Sequence, residues 1–194
     1  MLLGKRGKRG NRSNRGQHGR RATRRLAIPI ALTTVSAVAL TGLAAAPSLA
    51  ASRPGWADTD SLTVRVHALS PGAGQRYAAV ILTNKTDTSV RTQGYVGLQL
   101  LNAHGGKVTT QVVRDPGSTP QLTLKPGQSV YTVLHWTVVP ATGEPTKAEK
   151  NPTRLEVTPP DSYRHLTTAW TLGEVLQHGR IDITPLAMGT GPAA

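Results

Sequence analysis

Cysteine and phenylalanine are both missing from this 194-residue chain, and aromatic residues make up only 4% of it. Without cysteine there is no disulfide framework, no thiolate metal site, no cysteine nucleophile and no cysteine to carry a lipid. Acidic residues are scarce too, 10 against 23 Lys and Arg, and the first 25 residues contain none. Those 25 residues hold ten basic side chains, which leaves residues 51–194 with 13 basic and 10 acidic residues, a net +3. The formal charge of +13 therefore belongs to the leader. The folded part by itself therefore carries little of the basic footprint that nucleic acid attracts.

What is present begins with that leader. The basic stretch runs into an uncharged apolar segment, residues 26–43, and then into small residues at 44–52. A positive region, an apolar region and small residues at −3 and −1 make a secretory signal peptide. Ser48-Leu49-Ala50 is the best cleavage triplet, with Ala51 as the mature N-terminus. Pro29 and the hydroxyl residues Thr33, Thr34, Ser36 and Thr41 weaken the segment as a permanent span, because a stable transmembrane helix needs about 20 mostly apolar residues. An uncleaved N-terminal anchor is the rival reading. Thr23-Arg24-Arg25-Leu26 partly fits a twin-arginine signal, although Ala27 stands where a large apolar residue is usual. The same Gly/Arg-rich stretch could grip phosphate backbones if it were retained, but no aromatic residue interrupts it to stack a base.

The mature part, about 144 residues, is long enough to fold without staples, burying about two thirds of its unfolded surface. After a lead-in segment at 51–61, short apolar runs alternate with turn residues. Residues 62–68 alternate cleanly, 76–84 are apolar on both faces, and 95–101 lead through His104-Gly105-Gly106 into 107–113. Further runs fall at 121–124, 129–139, 154–158, 165–172 and 180–186. The spacing predicts an all-β fold, an antiparallel immunoglobulin-like β-sandwich of about eight strands over residues 62–186. Residues 172–177 suit one helical turn, and 187–194 read as a frayed tail. The pattern puts Val64, Val66, Val80, Leu82, Leu98, Leu100, Leu134, Trp136 and Ile183 in the core.

Four blocks then stand in a recognisable order: Gly74-Gln75-Arg76-Tyr77 with Ala78 to Asn84, Gly94-Tyr95-Val96-Gly97 with Leu98 to Leu101, Leu124-Lys125-Pro126-Gly127-Gln128-Ser129, and Leu155-Glu156-Val157-Thr158-Pro159-Pro160. In order and spacing the chain resembles the secreted actinobacterial domain of unknown function 4232 family over most of 60–186. The resemblance implies the sandwich and a secreted context, and no activity. Cysteines usual in such domains would fall within 57–60, 89–91, 147–151 and 166–169, all of which lack them here.

Candidate chemistry is thin. The histidines His18, His67, His104, His135, His165 and His178 are scattered, with no HxH or HxxxH pair to hold one ion. No GxSxG elbow occurs; Gly117-Ser118-Thr119-Pro120 is an extended turn. Asp58 and Asp60 lack the further oxygens that calcium takes, and Glu144 and Glu149 sit among Lys147 and Lys150 as mixed surface charge. Trp136 shares a face with Val130, Leu134 and Val138, and Trp170 suits a half-buried strand, so both read as core. Trp56 stands apart in Pro54-Gly55-Trp56 and reads as the exposed aromatic, with a plug over the sandwich edge as the alternative.

These features predict a secreted, non-enzymatic module of the cell envelope or extracellular space, binding or structural, with no cofactor and no metal site. The candidate partner is an anionic cell-wall polymer, met by Arg53, Arg65, Arg76, Lys85, Arg91, Lys107, Arg114 and Lys125. Nucleic acid is not expected in the mature form, and membrane contact only through an uncleaved leader. The alternatives are a secreted hydrolase whose site assembles only in three dimensions, and a basic-tailed nucleic-acid binder that keeps its leader.

Overall fold

A computed structural model describes residues 53–145 and 151–192. The leader and the cleavage residues Ser48, Ala50 and Ala51 lie outside the described residues. Among the described residues there are twelve strands and no helix: β1 (Gly55–Trp56), β2 (Leu62–Gly72), β3 (Gln75–Asn84), β4 (Val90–Thr92), β5 (Gly97–Leu101), β6 (Gln111–Arg114), β7 (Leu122–Leu124), β8 (Ser129–Thr137), β9 (Arg154–Thr158), β10 (Leu166–Ala169), β11 (Arg180–Ile183) and β12 (Ala187–Met188).

The large sheet runs β2-β3-β8-β11-β6, with β12 also pairing β8; facing it is the sheet β10-β9-β5, and β1-β4-β7 form a third, small sheet. The orders β2-β3-β8 and β10-β9-β5 correspond to the A-B-E and G-F-C orders of an immunoglobulin sandwich. The remaining edge of the β8 strand is filled differently, by β11 at Leu134–His135 and then by β12 at Val130–Tyr131. Period-two alternation builds the core directly. Val80, Leu82, Val130, Leu134 and Ile183 of the large sheet are buried in one cluster with Leu100, Leu155 and Val157 of the facing sheet.

The β-sandwich is thus as the spacing predicts, with corrections in detail. There are more than eight strands because β1, β4 and β12 have only two or three residues, too few to show a period. The β1–β4 and β6–β11 pairs are parallel, so the architecture is not wholly antiparallel. Residues 107–113 do not return as a full hairpin on β5. They make the single bridge Leu101↔Lys107, and the chain then crosses to the large sheet as β6. The lead-in segment and the tail both carry strands, β1 and β12. No helical turn forms at 172–177; Gln177, His178 and Gly179 instead take consecutive positive φ values of 53°, 59° and 77°.

Val64 and Val66 are half-buried because β2 is an edge strand with no neighbour beyond it, and Leu98 is half-buried on the edge strand β5. The first sequence run also continues past Pro71-Gly72 to a two-residue hairpin at Ala73-Gly74, both with positive φ as that tight turn requires. An edge strand tolerates Pro71, whose missing N–H no partner needs.

Buried polar groups hold the loops. Asn84, 1% exposed, donates from Nδ2 to the carbonyls of Thr88 and Leu124 and accepts at Oδ1 from the N–H and hydroxyl of Thr86. Its own backbone accepts from Gly127 N–H and donates to Gln128 C=O. One side chain therefore ties the 85–88 loop to the Lys125-Pro126-Gly127-Gln128 turn.

Candidate functional site

The small sheet presents a row of side chains to solvent. In β4, Val90 and Thr92 are buried, which turns Arg91 outward; in β7, Leu124 is buried and Thr123 is exposed. The registers Trp56↔Arg91 and Arg91↔Thr123 place Trp56, Arg91 and Thr123 side by side. The Arg91 guanidinium carbon lies 4.3 Å from the centre of the Trp56 ring, within the range of a cation–π contact. Arg91 Nη1 donates to Gln121 Oε1 at 3.4 Å, while the buried Nε has no partner.

Trp56 is 43% exposed, so it is the exposed aromatic that the sequence singles out and not a plug. It is nonetheless firmly placed. Ala57 next to it is buried and donates its N–H to Arg91 C=O at 2.8 Å. Beyond it, Asp58 Oδ1 accepts from the N–H groups of Asp60 and Ser61, closing a turn between the buried Thr59 and Ser61. The Ser61 side chain first, and then the N–H groups of Ser61 and Asp60, hold the Asp58 carboxyl below the usual carboxylate range.

The other predicted residues fall elsewhere. Trp136 and Trp170 are buried at 2% and 3% exposure, and their indole N–H groups donate to Glu174 C=O and Gly173 C=O. Asp60 makes a two-point pair with Arg164. Among the described residues no group of three or more His, Asp or Glu side chains could hold a metal ion. His165 Nε2 lies 3.1 Å from Glu156 Oε1, and His135 stacks on Tyr77 with ring centres 5.5 Å apart. Neither histidine has a hydroxyl partner among the described residues.

Glu144 is more than mixed surface charge. Its Oε2 accepts from Ala141 N–H and Gln177 N–H and its Oε1 from His178 N–H, all at 2.8 Å. The N–H groups of Gln177 and His178, in the left-handed turn, converge with that of Ala141 on this one carboxylate, whose pKa they depress, the His178 bond most and that of Ala141 next. Glu149, Lys147 and Lys150 lie outside the described residues. Of the predicted basic residues, Arg53, Arg65, Arg76, Lys85, Lys107, Arg114 and Lys125 are exposed and spread over different strands and loops, and Arg91 is half-buried. Arg114 lies over the ring of Tyr95, whose hydroxyl donates to Asp115 C=O.

Sequence reasoning missed Arg91 and Gln121 as companions of Trp56. They lie far along the chain, in or beside strands of three residues, so only the pairing of β1 with β4 and of β4 with β7 brings them together.

Fold and surface together define a cysteine-free β-sandwich domain with an aromatic–cation pair on its small sheet. Residues 57–187 match the family described as Domain of unknown function (DUF4232), and the chain belongs to that family. No curated protein and no solved structure matches it. Two of the regions where the resemblance implies cysteine, 57–60 and 89–91, are neighbours here, joined by the bond from Ala57 N–H to Arg91 C=O.

Proposed function

We propose that the chain is a secreted, non-enzymatic binding module of the cell envelope or extracellular space. The observation that carries this reading is the solvent-facing Trp56–Arg91 pair on an anchored backbone. The part of Trp56 left in water forgoes burial, and its display on a bonded strand suits contact with a ligand. The signal-peptide pattern at residues 1–50 supports export. The partner proposed is an anionic wall polymer, whose charges suit the exposed basic residues.

Two measurements test the reading. Protein recovered from the medium of an exporting host is expected to begin at Ala51, whereas an intact soluble chain in the cytoplasm overturns secretion. That secreted protein is then mixed with purified cell wall. It is expected to pellet at low salt and to be released above physiological ionic strength, where the screening length falls below about 8 Å. Failure to pellet at low salt overturns the wall-polymer partner.

A further inference from the structure

The Trp56–Arg91 pair has a geometry that narrows its ligand. Arg91 covers one face of the indole at 4.3 Å, and Trp56 as a residue is 43% exposed, so a ligand must approach from the face or edge that Arg91 does not cover. One open indole face is about the size of one sugar ring. The C–H face of a pyranose is apolar with a slight positive charge, complementary to the negative π-face of an aromatic ring. Beside it lie polar side chains. Nη1 of Arg91 has a single long bond to Gln121, Nη2 has no partner among the described residues, and Thr123 offers an exposed hydroxyl. A guanidinium with unused in-plane donors matches a carboxylate or phosphate.

The surroundings argue against other occupants. Of the other large exposed apolar residues, Val139 and Tyr163 lie outside the strands and Met188 is on β12 of the large sheet, so none of them belongs to the small sheet that carries Trp56. Single-stranded nucleic acid is held by a succession of aromatic platforms along a basic groove, and the small sheet carries one aromatic. The site is also built in advance: β1 is paired, Ala57 is buried and the Asp58–Ser61 turn is bonded. Little ordering is then required of the protein on binding.

We propose that Trp56 and Arg91 form a subsite for an acidic sugar, with a pyranose stacked on the open indole face and its carboxylate or phosphate on the Arg91 guanidinium. The proposal rests on the binding-module reading and deepens it.

The test exploits the other two tryptophans being buried: in the full chain, acrylamide quenching of tryptophan fluorescence reports on Trp56. A local readout is needed because the basic leader also attracts anions. The probes are a hyaluronan tetrasaccharide for carboxylates, mannose 6-phosphate for phosphates, neutral N-acetylchitotetraose and inorganic phosphate. At least one of the two acidic sugars is expected to lower the quenching constant at least twofold, and which one does so identifies the anion. The neutral sugar should need at least tenfold more ligand, and inorganic phosphate should give no protection. In affinity electrophoresis, Trp56→Leu should lose retention by the protecting sugar, and Arg91→Gln should lose the preference for acidic over neutral sugar. Both variants are first checked for an unchanged unfolding midpoint.

Absence of protection by both acidic sugars overturns the proposal, as does equal protection by the neutral sugar or by phosphate alone. Unchanged retention of Trp56→Leu does the same. If the secreted protein pellets with cell wall and Trp56→Leu pellets equally well, the subsite is wrong while the wall-binding reading stands. If acidic sugars protect Trp56 but the wall is not bound, the subsite stands and the wall reading falls.

Discussion

Trp136 and Trp170 meet with ring centres 5.1 Å apart at an interplanar angle of 48°, each donating its indole N–H to the loop that closes over them. Two of the three tryptophans of the chain thus lie in one corner of the core. Trp136→Ala is expected to cost about 3–5 kcal/mol, because cavity and lost transfer energy add. Trp56→Ala should cost less than about 1 kcal/mol, as for a surface residue. Urea unfolding of the two variants checks the contrast; equal losses would contradict the burial assigned to them.

Gly179 has φ +77°, and a Cβ there would clash with the backbone carbonyl of Thr109. Backbone cannot move aside cheaply, so Gly179→Ala should destabilise by about 2–4 kcal/mol. Gly127 supplies the control. Its φ is +75° with nothing within 4 Å of an added Cβ, so Gly127→Ala should cost only the conformational penalty of about 1–2 kcal/mol. Thermal unfolding of both variants separates steric clash from backbone strain.

The Glu144 carboxylate is held below its ordinary value of 4.5 by bonds that form only in the folded chain, that of His178 first. A depressed acid contributes stability that is full above its unfolded pKa and is lost as pH falls through the folded one. The wild-type advantage over Glu144→Gln, measured by urea midpoint, should therefore be present at pH 7 and shrink as pH drops below about 4.5. A difference that stays constant down to pH 3 would assign the contribution of Glu144 to shape and not to charge.

Asn84→Ala should cost about 2–4 kcal/mol, since it strands the buried Leu124 carbonyl and frees two loops at once. Amide exchange is expected to accelerate at residues 85–88 and 125–128, with the β3–β8 ladder protected. Acceleration spread evenly over the large sheet would show that Asn84 supports the core and not the loops.

What the sequence makes legible follows its periods. Residues such as Val80, Leu82, Leu134 and Trp136 announce their face because long strands repeat the alternation several times. Val64 and Val66 carry the same alternation, yet an edge position leaves them half-open, and sheet order is not written in a local pattern. The exposure of Trp56 is legible from its isolation ahead of the runs. Its partner Arg91 is not, since Val-Arg-Thr at 90–92 is too short to announce a strand. The left-handed turn at 177–179 is hidden for another reason: Gln177 has no local preference for positive φ, and the distant Glu144 accepts the N–H groups of Gln177 and His178 there.

The filling of the β8 edge by β11 and β12 has a consequence for biosynthesis. A chain threaded from its N-terminus delivers β2, β3 and β8 early, but the second edge of β8 stays open until residues 180–189 have emerged. Until then the free edge of β8 offers unpaired N–H and C=O groups to any strand nearby. Closure of the large sheet is therefore a late event in the life of each nascent chain, and the 180–189 segment is the latch of the finished domain.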